Sequence, residues 1–242
     1  MNKGFWAYTL ATLAGATALT LASTADAAVI NIVSNAGDTT RQDGGINGDA
    51  AAYDGTFTAV GGGAVAVTPH PNWQNQALTN PTATWISYAL TGISPDNVVA
   101  PFKAGCTVGT GVGCSPLMIV EETIDFGSLT GSINLKAWAD DTIDVYLDGN
   151  KVVFANFTQN VCADGAPGCE PNEFATIVDN LGPGQHTLRF EVYQIGTGTT
   201  NDSNPFGLLY SGTATTVPEP VTLSLLGAGL LGLGFAARRR RR

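Results

Sequence analysis

Positive charge is scarce in this chain. Of 242 residues only eleven are Lys or Arg and two are His, against twenty Asp and Glu, for a formal net charge of −9. Five of the eleven form the terminal run Arg238 to Arg242, and Lys3 stands at the opposite end. Between residues 28 and 217 the cations are Arg41, Lys103, Lys136, Lys151 and Arg189, five against eighteen acids, a net of −13. Binding a phosphate backbone needs a basic face, so a nucleic-acid partner is excluded. With His70 and His186 alone, and no G-x-S-x-G, a Ser-His-Asp hydrolase lacks its parts. Charged residues make up 13%, about half the usual ~25%, while 44% are hydrophobic, which argues for a packed core over charge-driven disorder.

The two ends read as addresses. Residues 1–27 have a positive start at Lys3, an apolar stretch from Phe5 to about Leu21 and a small-x-small site at Ala25-Asp26-Ala27, the pattern of a secretory signal helix cleaved after Ala27. The competing reading, an uncleaved anchor, fits less well a stretch so rich in Ala and Thr. At the other end, residues 217–242 hold Val217-Pro218-Glu219-Pro220, seventeen uncharged residues over 221–237 and then the arginines. Seventeen helical residues span roughly 25 Å, the lower limit for a transmembrane helix. Clustered arginines stay cytoplasmic, so everything before Pro218 is expected outside the inner membrane.

Pro218-Glu219-Pro220, a short apolar helix and a basic terminus, in that order at the extreme end, resemble the PEP-CTERM sorting signal of Gram-negative bacteria. The resemblance implies a transient inner-membrane hold, an exosortase as partner, removal of the tail near Pro218-Glu219-Pro220, and delivery to the cell surface or extracellular matrix. It concerns the route and leaves the activity open.

What remains, residues 28–216, is the size of one domain. Short β-branched and aromatic segments separated by Gly, Pro, Asn and Asp predict an all-β sandwich. Strands are expected near 29–33, 64–68, 84–90, 117–126, 132–139, 142–148, 151–156, 174–180, 186–195 and 206–215. Ile143, Val145 and Leu147 should face inward, with Asp144, Tyr146 and Asp148 on the solvated side. Asp148-Gly149-Asn150 reads as a tight hairpin and Gly182-Pro183-Gly184 as a turn. Residues 34–63, with eight Gly and few large apolar side chains, are expected to be a long, loosely structured loop. The run Trp138 to Asn150, with Gly184-Gln185-His186-Thr187-Leu188-Arg189-Phe190 and Gly207-Leu208-Leu209, resembles galactose-binding-like jelly rolls. That resemblance implies the fold; it places no sugar contact residue by residue.

Four cysteines in two close pairs of an exported segment predict local disulfides Cys106–Cys114 and Cys162–Cys169, although four cysteines permit three connectivities. A four-cysteine zinc site is the alternative, but neither pair has the C-x₂₋₄-C spacing. Asp140, Asp141 and Asp144, with Asp148 nearby, are the densest carboxylates and the candidate calcium ligands; the simpler reading is turn formers and surface residues. No other cofactor is expected. Glu121-Glu122 as a glycosidase pair is disfavoured, because neighbours on a strand point to opposite faces. Exposed aromatics stack on sugars, which makes His70, Trp73 and Trp138 candidate ligand contacts, though such aromatics more often pack in a sandwich. The expectation is a non-enzymatic surface or matrix protein, with extracellular polysaccharide as partner. An enzyme acting on matrix polysaccharide is the alternative.

Overall fold

The computed structural model describes residues 27–43, 55–101, 105–158, 165–195, 198–217 and 221–240. The expected signal segment, but for the exposed Ala27, lies outside these, as do Pro218, Glu219, Pro220 and Cys162. Ala27–Val217 form one compact unit.

That unit is a sandwich of two six-stranded sheets in which every pairing is antiparallel. The strands are β1 (Val29–Val33), β2 (Thr39–Asp43), β3 (Phe57–Ala59), β4 (Val65–Ala66), β5 (Ile86–Ser87), β6 (Met118–Asp125), β7 (Thr130–Asp140), β8 (Thr142–Leu147), β9 (Asn150–Val153), β10 (Ala175–Leu181), β11 (Gln185–Tyr193) and β12 (Gly207–Val217). The first sheet runs β10-β7-β12-β5-β4, with β1 also on β12; the second runs β3-β2-β6-β11-β8-β9. Each of the ten strands expected from alternation is present.

Two strands fall in the stretch 34–63 that composition marks as loose. β2 pairs with β6 and β3 with β2, extending the second sheet, while residues 44–54 lie outside the description. β2 carries no apolar alternation because its buried side chains are Thr40, Gln42 and Asp43; its Asp43 accepts the Gly55 N–H at 2.7 Å. Polar residues with internal partners leave no hydrophobic signature, so the strand is invisible to pattern reading.

The inner faces interdigitate through Met118, Val120 and Ile124 of β6, Ile133 and Leu135 of β7, Ile143 and Val145 of β8, Leu188 and Phe190 of β11 and Leu208 of β12, all buried. A second apolar cluster covers the outer side of the first sheet and holds Trp73, Trp85, Trp138, Leu209 and Cys169. Between β8 and β9 the two-residue turn Asp148-Gly149 has φ of +50° and +78°, the left-handed geometry expected of an Asp-Gly hairpin. At Gly212 of β12 a Cβ would lie 2.2 Å from the Asn134 carbonyl oxygen of β7, so only glycine fits this ladder.

Past the sandwich, helix α1 covers Val221–Arg240. Among the described residues no helix is long and apolar enough to cross a membrane, so the expected span over 221–237 is not shown. Gly227, Gly229, Gly232 and Gly234, with Thr222 and Ser224, stand among its leucines, and the last turn carries Arg238, Arg239 and Arg240.

Candidate functional site

β8 and β11 pair so that Tyr146 lies opposite Arg189 and Asp144 opposite Glu191, all on the outer side of the second sheet. Alternation therefore directs Asp144 away from the core as expected, yet Asp144 is only 3% exposed. The chain after β9 folds back over it. The Ala155 N–H donates to Asp144 Oδ1 at 2.8 Å, and the Asn156 N–H donates to Thr142 Oγ1 at 2.9 Å. Asp144 Oδ2 accepts from Lys151 Nζ at 2.7 Å and from the Tyr193 hydroxyl at 2.8 Å. The solvated position read for Asp144 is thus corrected: a second layer of chain lies outside the strand.

Beside this covered patch the face opens on aromatic rings. The Arg189 guanidinium stands 5.0 Å and the Lys151 ammonium 5.2 Å from the Tyr146 ring centre, while Lys151 is 5.5 Å from the Phe154 ring. Phe154 is 70% exposed. Arg189 is ion-paired with Glu191, and Lys151 with Asp144 at 2.7 Å, so the cations that flank the rings are neutralised in place. The loop closed by the Cys106–Cys114 disulfide leans on the same region. Its Gly109 N–H donates to the Phe157 carbonyl at 2.5 Å, and a Cβ on Gly111 would strike the Phe157 ring. Phe157 in turn meets Tyr193 edge-on at 5.0 Å. The covering segment is thereby held from both sides.

The ligand aromatics singled out from the sequence are elsewhere. Trp73 and Trp138 are each 4% exposed in the outer cluster of the first sheet, with the Trp73 and Trp85 rings 4.2 Å apart. They cannot stack on an external sugar, and this corrects that expectation. Apolar burial on both sides of a sheet explains it: the outer face of β7 and β12 is roofed by the chain between β4 and β5. His70 is partly exposed in a turn, where its Nδ1 accepts the Asn72 N–H at 3.2 Å. Lys151 and Phe154, which are exposed, and Tyr146 and Arg189, which are half-buried, were not among the ligand groups expected from the sequence. The one available sign was the Val152-Val153-Phe154 run directly after a hairpin.

The calcium candidates divide between two environments. Asp140 Oδ2 accepts from Trp73 Nε1 at 2.8 Å, and Asp141 Oδ2 accepts the Ile195 N–H at 2.5 Å. Burial first, and then the neighbouring Asp141 charge, push the Asp140 carboxyl far above the usual carboxylate range. Asp144 has its own partners, named above. Among the described residues no three His, Cys, Asp or Glu side chains converge as a metal group. Asp148 belongs to a third place: its Oδ2 is 2.7 Å from His186 Nδ1, and its Oδ1 accepts the Thr187 N–H at 2.9 Å. The hydrogen bond to Asp148 raises the His186 imidazole, and the same bond lowers Asp148.

Glu121 and Glu122 do point to opposite faces. Glu121 pairs with Arg41 outside, while Glu122 turns to the Tyr210 hydroxyl at 2.5 Å. Tyr210, of β12, also contacts Asp38 Oδ2 at 2.7 Å. Asp38 and Glu122 border a cavity of about 180 Å³ at this end of the sandwich. Burial raises both carboxyls above their ordinary values, and burial likewise raises the Tyr210 hydroxyl.

Of the cysteines, Cys106 and Cys114 are joined and Cys169 is disulfide-bonded as well; Cys162 is outside the described residues.

Residues 216–241 match the PEP-CTERM protein-sorting motif, so the chain carries that signal, and it marks a protein for export with membrane-associated sorting. The motif begins inside β12, at Thr216. No curated protein matches over the chain. Among solved structures it is similar to a family 35 carbohydrate-binding module from Clostridium thermocellum, at 11% identity and TM-score 0.32, covering 78% of this chain and 99% of that one. It is also similar to a CBM35 from Paenibacillus barcinonensis, at 15% identity and TM-score 0.30, with 78% and 99% covered.

Proposed function

We propose that this is an exported, non-enzymatic protein of the cell surface or extracellular polymer matrix of a Gram-negative bacterium, a galactose-binding-like jelly roll that binds glycan through the outer face of its second sheet. The observation that carries the reading is the aromatic surface formed by Tyr146 and Phe154, with Lys151 lying over both rings and Arg189 over the first. A sugar presents C–H bonds on one ring face and hydroxyls around its rim. Aromatic faces accept the former, and the adjacent guanidinium, ammonium and carboxylates can hydrogen-bond the latter. Ion pairing of both cations suits a neutral polymer better than a phosphate backbone, in keeping with the −13 balance of residues 28–217. Sorting through the 216–241 motif by an exosortase-type enzyme delivers the module to where such polymers are.

The test is a glycan array followed by calorimetric titration of the best hit against the unaltered chain, Tyr146→Ala and Phe154→Ala. Affinity should fall at least about tenfold in each variant, roughly 1.4 kcal/mol, with the melting temperature of Phe154→Ala unchanged. Binding that survives both substitutions, or hydrolysis of the bound glycan, would refute the proposal.

A further inference from the structure

Tyr210 reaches from β12 of the first sheet to two carboxyls at once, Asp38 from the turn between β1 and β2 and Glu122 from β6 of the second sheet. One hydroxyl has one proton. If both carboxyls were ionised, one of these contacts would set lone pair against lone pair at hydrogen-bond distance inside a partly buried site. Two contacts of 2.5 and 2.7 Å require a second proton, and the surroundings say where it resides. Asp38 Oδ2 already accepts the Asn35 N–H at 2.8 Å, so it acts as an acceptor and takes the tyrosine proton as well. The remaining proton belongs on Glu122 Oε1, donated to the Tyr210 oxygen.

We infer that Glu122 is a neutral carboxylic acid in the folded protein, and that the chain Glu122 to Tyr210 to Asp38 is a proton-held clasp joining both sheets and the β1–β2 turn. The groups facing it are few. β12 contributes Tyr210, β6 Glu122 and the turn Asp38; the cavity lining adds only the neutral polar groups of Asn31, Asn35 and Thr123, and no Lys, Arg or His lies among the described lining residues. None of these lining residues offers a cation to replace the proton. Phe190 stacks on Tyr210 with centroids 4.4 Å apart, and the Tyr210 N–H donates to Ser34 Oγ at 3.1 Å, so the hydroxyl cannot swing away to water.

The sign of the pH dependence follows. Below 4.5, the ordinary value for a glutamate, folded and unfolded chains both hold the proton. As pH rises above it the unfolded chain releases the proton first, the folded one holds fewer advantages, and stability is lost until Glu122 itself ionises. Deprotonation then sets the Glu122 charge against that of Asp38 and opens the clasp.

A ¹³C NMR titration of the Glu122 carboxyl in the full chain tests this without any substitution, with melting temperatures of the unaltered chain and Glu122→Gln alongside. Glu122→Gln keeps a donor of similar shape that cannot ionise. The Glu122 midpoint should lie above 4.5, and the unaltered chain should lose melting temperature on going from pH 5 to pH 8 relative to Glu122→Gln. A midpoint at or below 4.5, or parallel curves for the two proteins, overturns the proposal. So does a rise in melting temperature with calcium chloride at neutral pH that Glu122→Gln abolishes, since the two carboxyls would then be serving a metal.

Discussion

Replacing Asp144 by Ala separates what alternation alone implies from what the structure implies. On a solvated strand position the change should stay within about 0.5 kcal/mol. The structure instead takes an acceptor from three donors: the Tyr193 hydroxyl, which keeps Glu191 Oε2 at 3.3 Å, the Ala155 N–H and the Lys151 ammonium. A buried donor stripped of its partner costs about 1–3 kcal/mol. Ala155, half-buried, bears this cost, while Tyr193, buried, falls back on the longer bond to Glu191 and loses less. Lys151, 31% exposed, can turn to water and adds no more than about 1 kcal/mol. Removing the carboxylate also relieves its own desolvation, so the net loss is set at about 2 kcal/mol, or roughly 4–8 °C in melting temperature for a domain of this size. Urea unfolding at pH 7 measures it, with the exposed Asp179→Ala as the comparison and a cycle with Lys151→Ala to isolate the ion pair. A loss below about 1 kcal/mol would mean that the segment after β9 does not cover this strand, and the reasoning fails.

Other consequences can be checked in the same preparation. Val145→Ala, in the core of β8, should cost about 2 kcal/mol by denaturant unfolding, since two buried methyls are removed from a fully enclosed site. Stability from the raised His186 should be complete below its ordinary 6.5 and fade as pH rises through its folded value; Asp148, held low, contributes above its ordinary 3.8 and fades on acidification, so His186→Asn should flatten the alkaline side of a melting-temperature profile. Peptide mapping without reduction should recover Cys106 linked to Cys114, and selective opening of that eight-residue separation should lower stability by less than the ~3 kcal/mol of a 15-residue loop. Gly212→Ala should weaken the β7–β12 ladder, read as faster amide exchange at Leu135 and Thr213, because its Cβ has no room.

Ten of twelve strands were legible because a half-buried strand writes its burial as a period of two, and β8 and β11 do so plainly. β2 was not, since its buried side chains Thr40, Gln42 and Asp43 are polar, Thr40 and Asp43 being hydrogen-bonded, and polar burial leaves no trace in hydropathy. Side-chain direction was also legible: Glu121 and Glu122 diverge and Asp144 points outward. What lies beyond a face was not. Asp144 met a covering segment, and Trp73 and Trp138 met each other's cluster, because long-range packing of irregular chain follows no local rule. The sorting motif was readable for the opposite reason, as its parts are contiguous.

The place where that motif begins bears on how the module withstands pulling. β12 runs eleven residues against β7, from Gly207 opposite Asp140 to Val217 opposite Thr130, with β1 paired along its other edge. A tether drawn from Val217 along the strand axis loads both ladders in shear, so many hydrogen bonds must yield together and none can be peeled singly. β9, by contrast, ends at the sheet's edge and would unzip. A chain held by its C-terminal end therefore carries tension first in its most extensively paired strand.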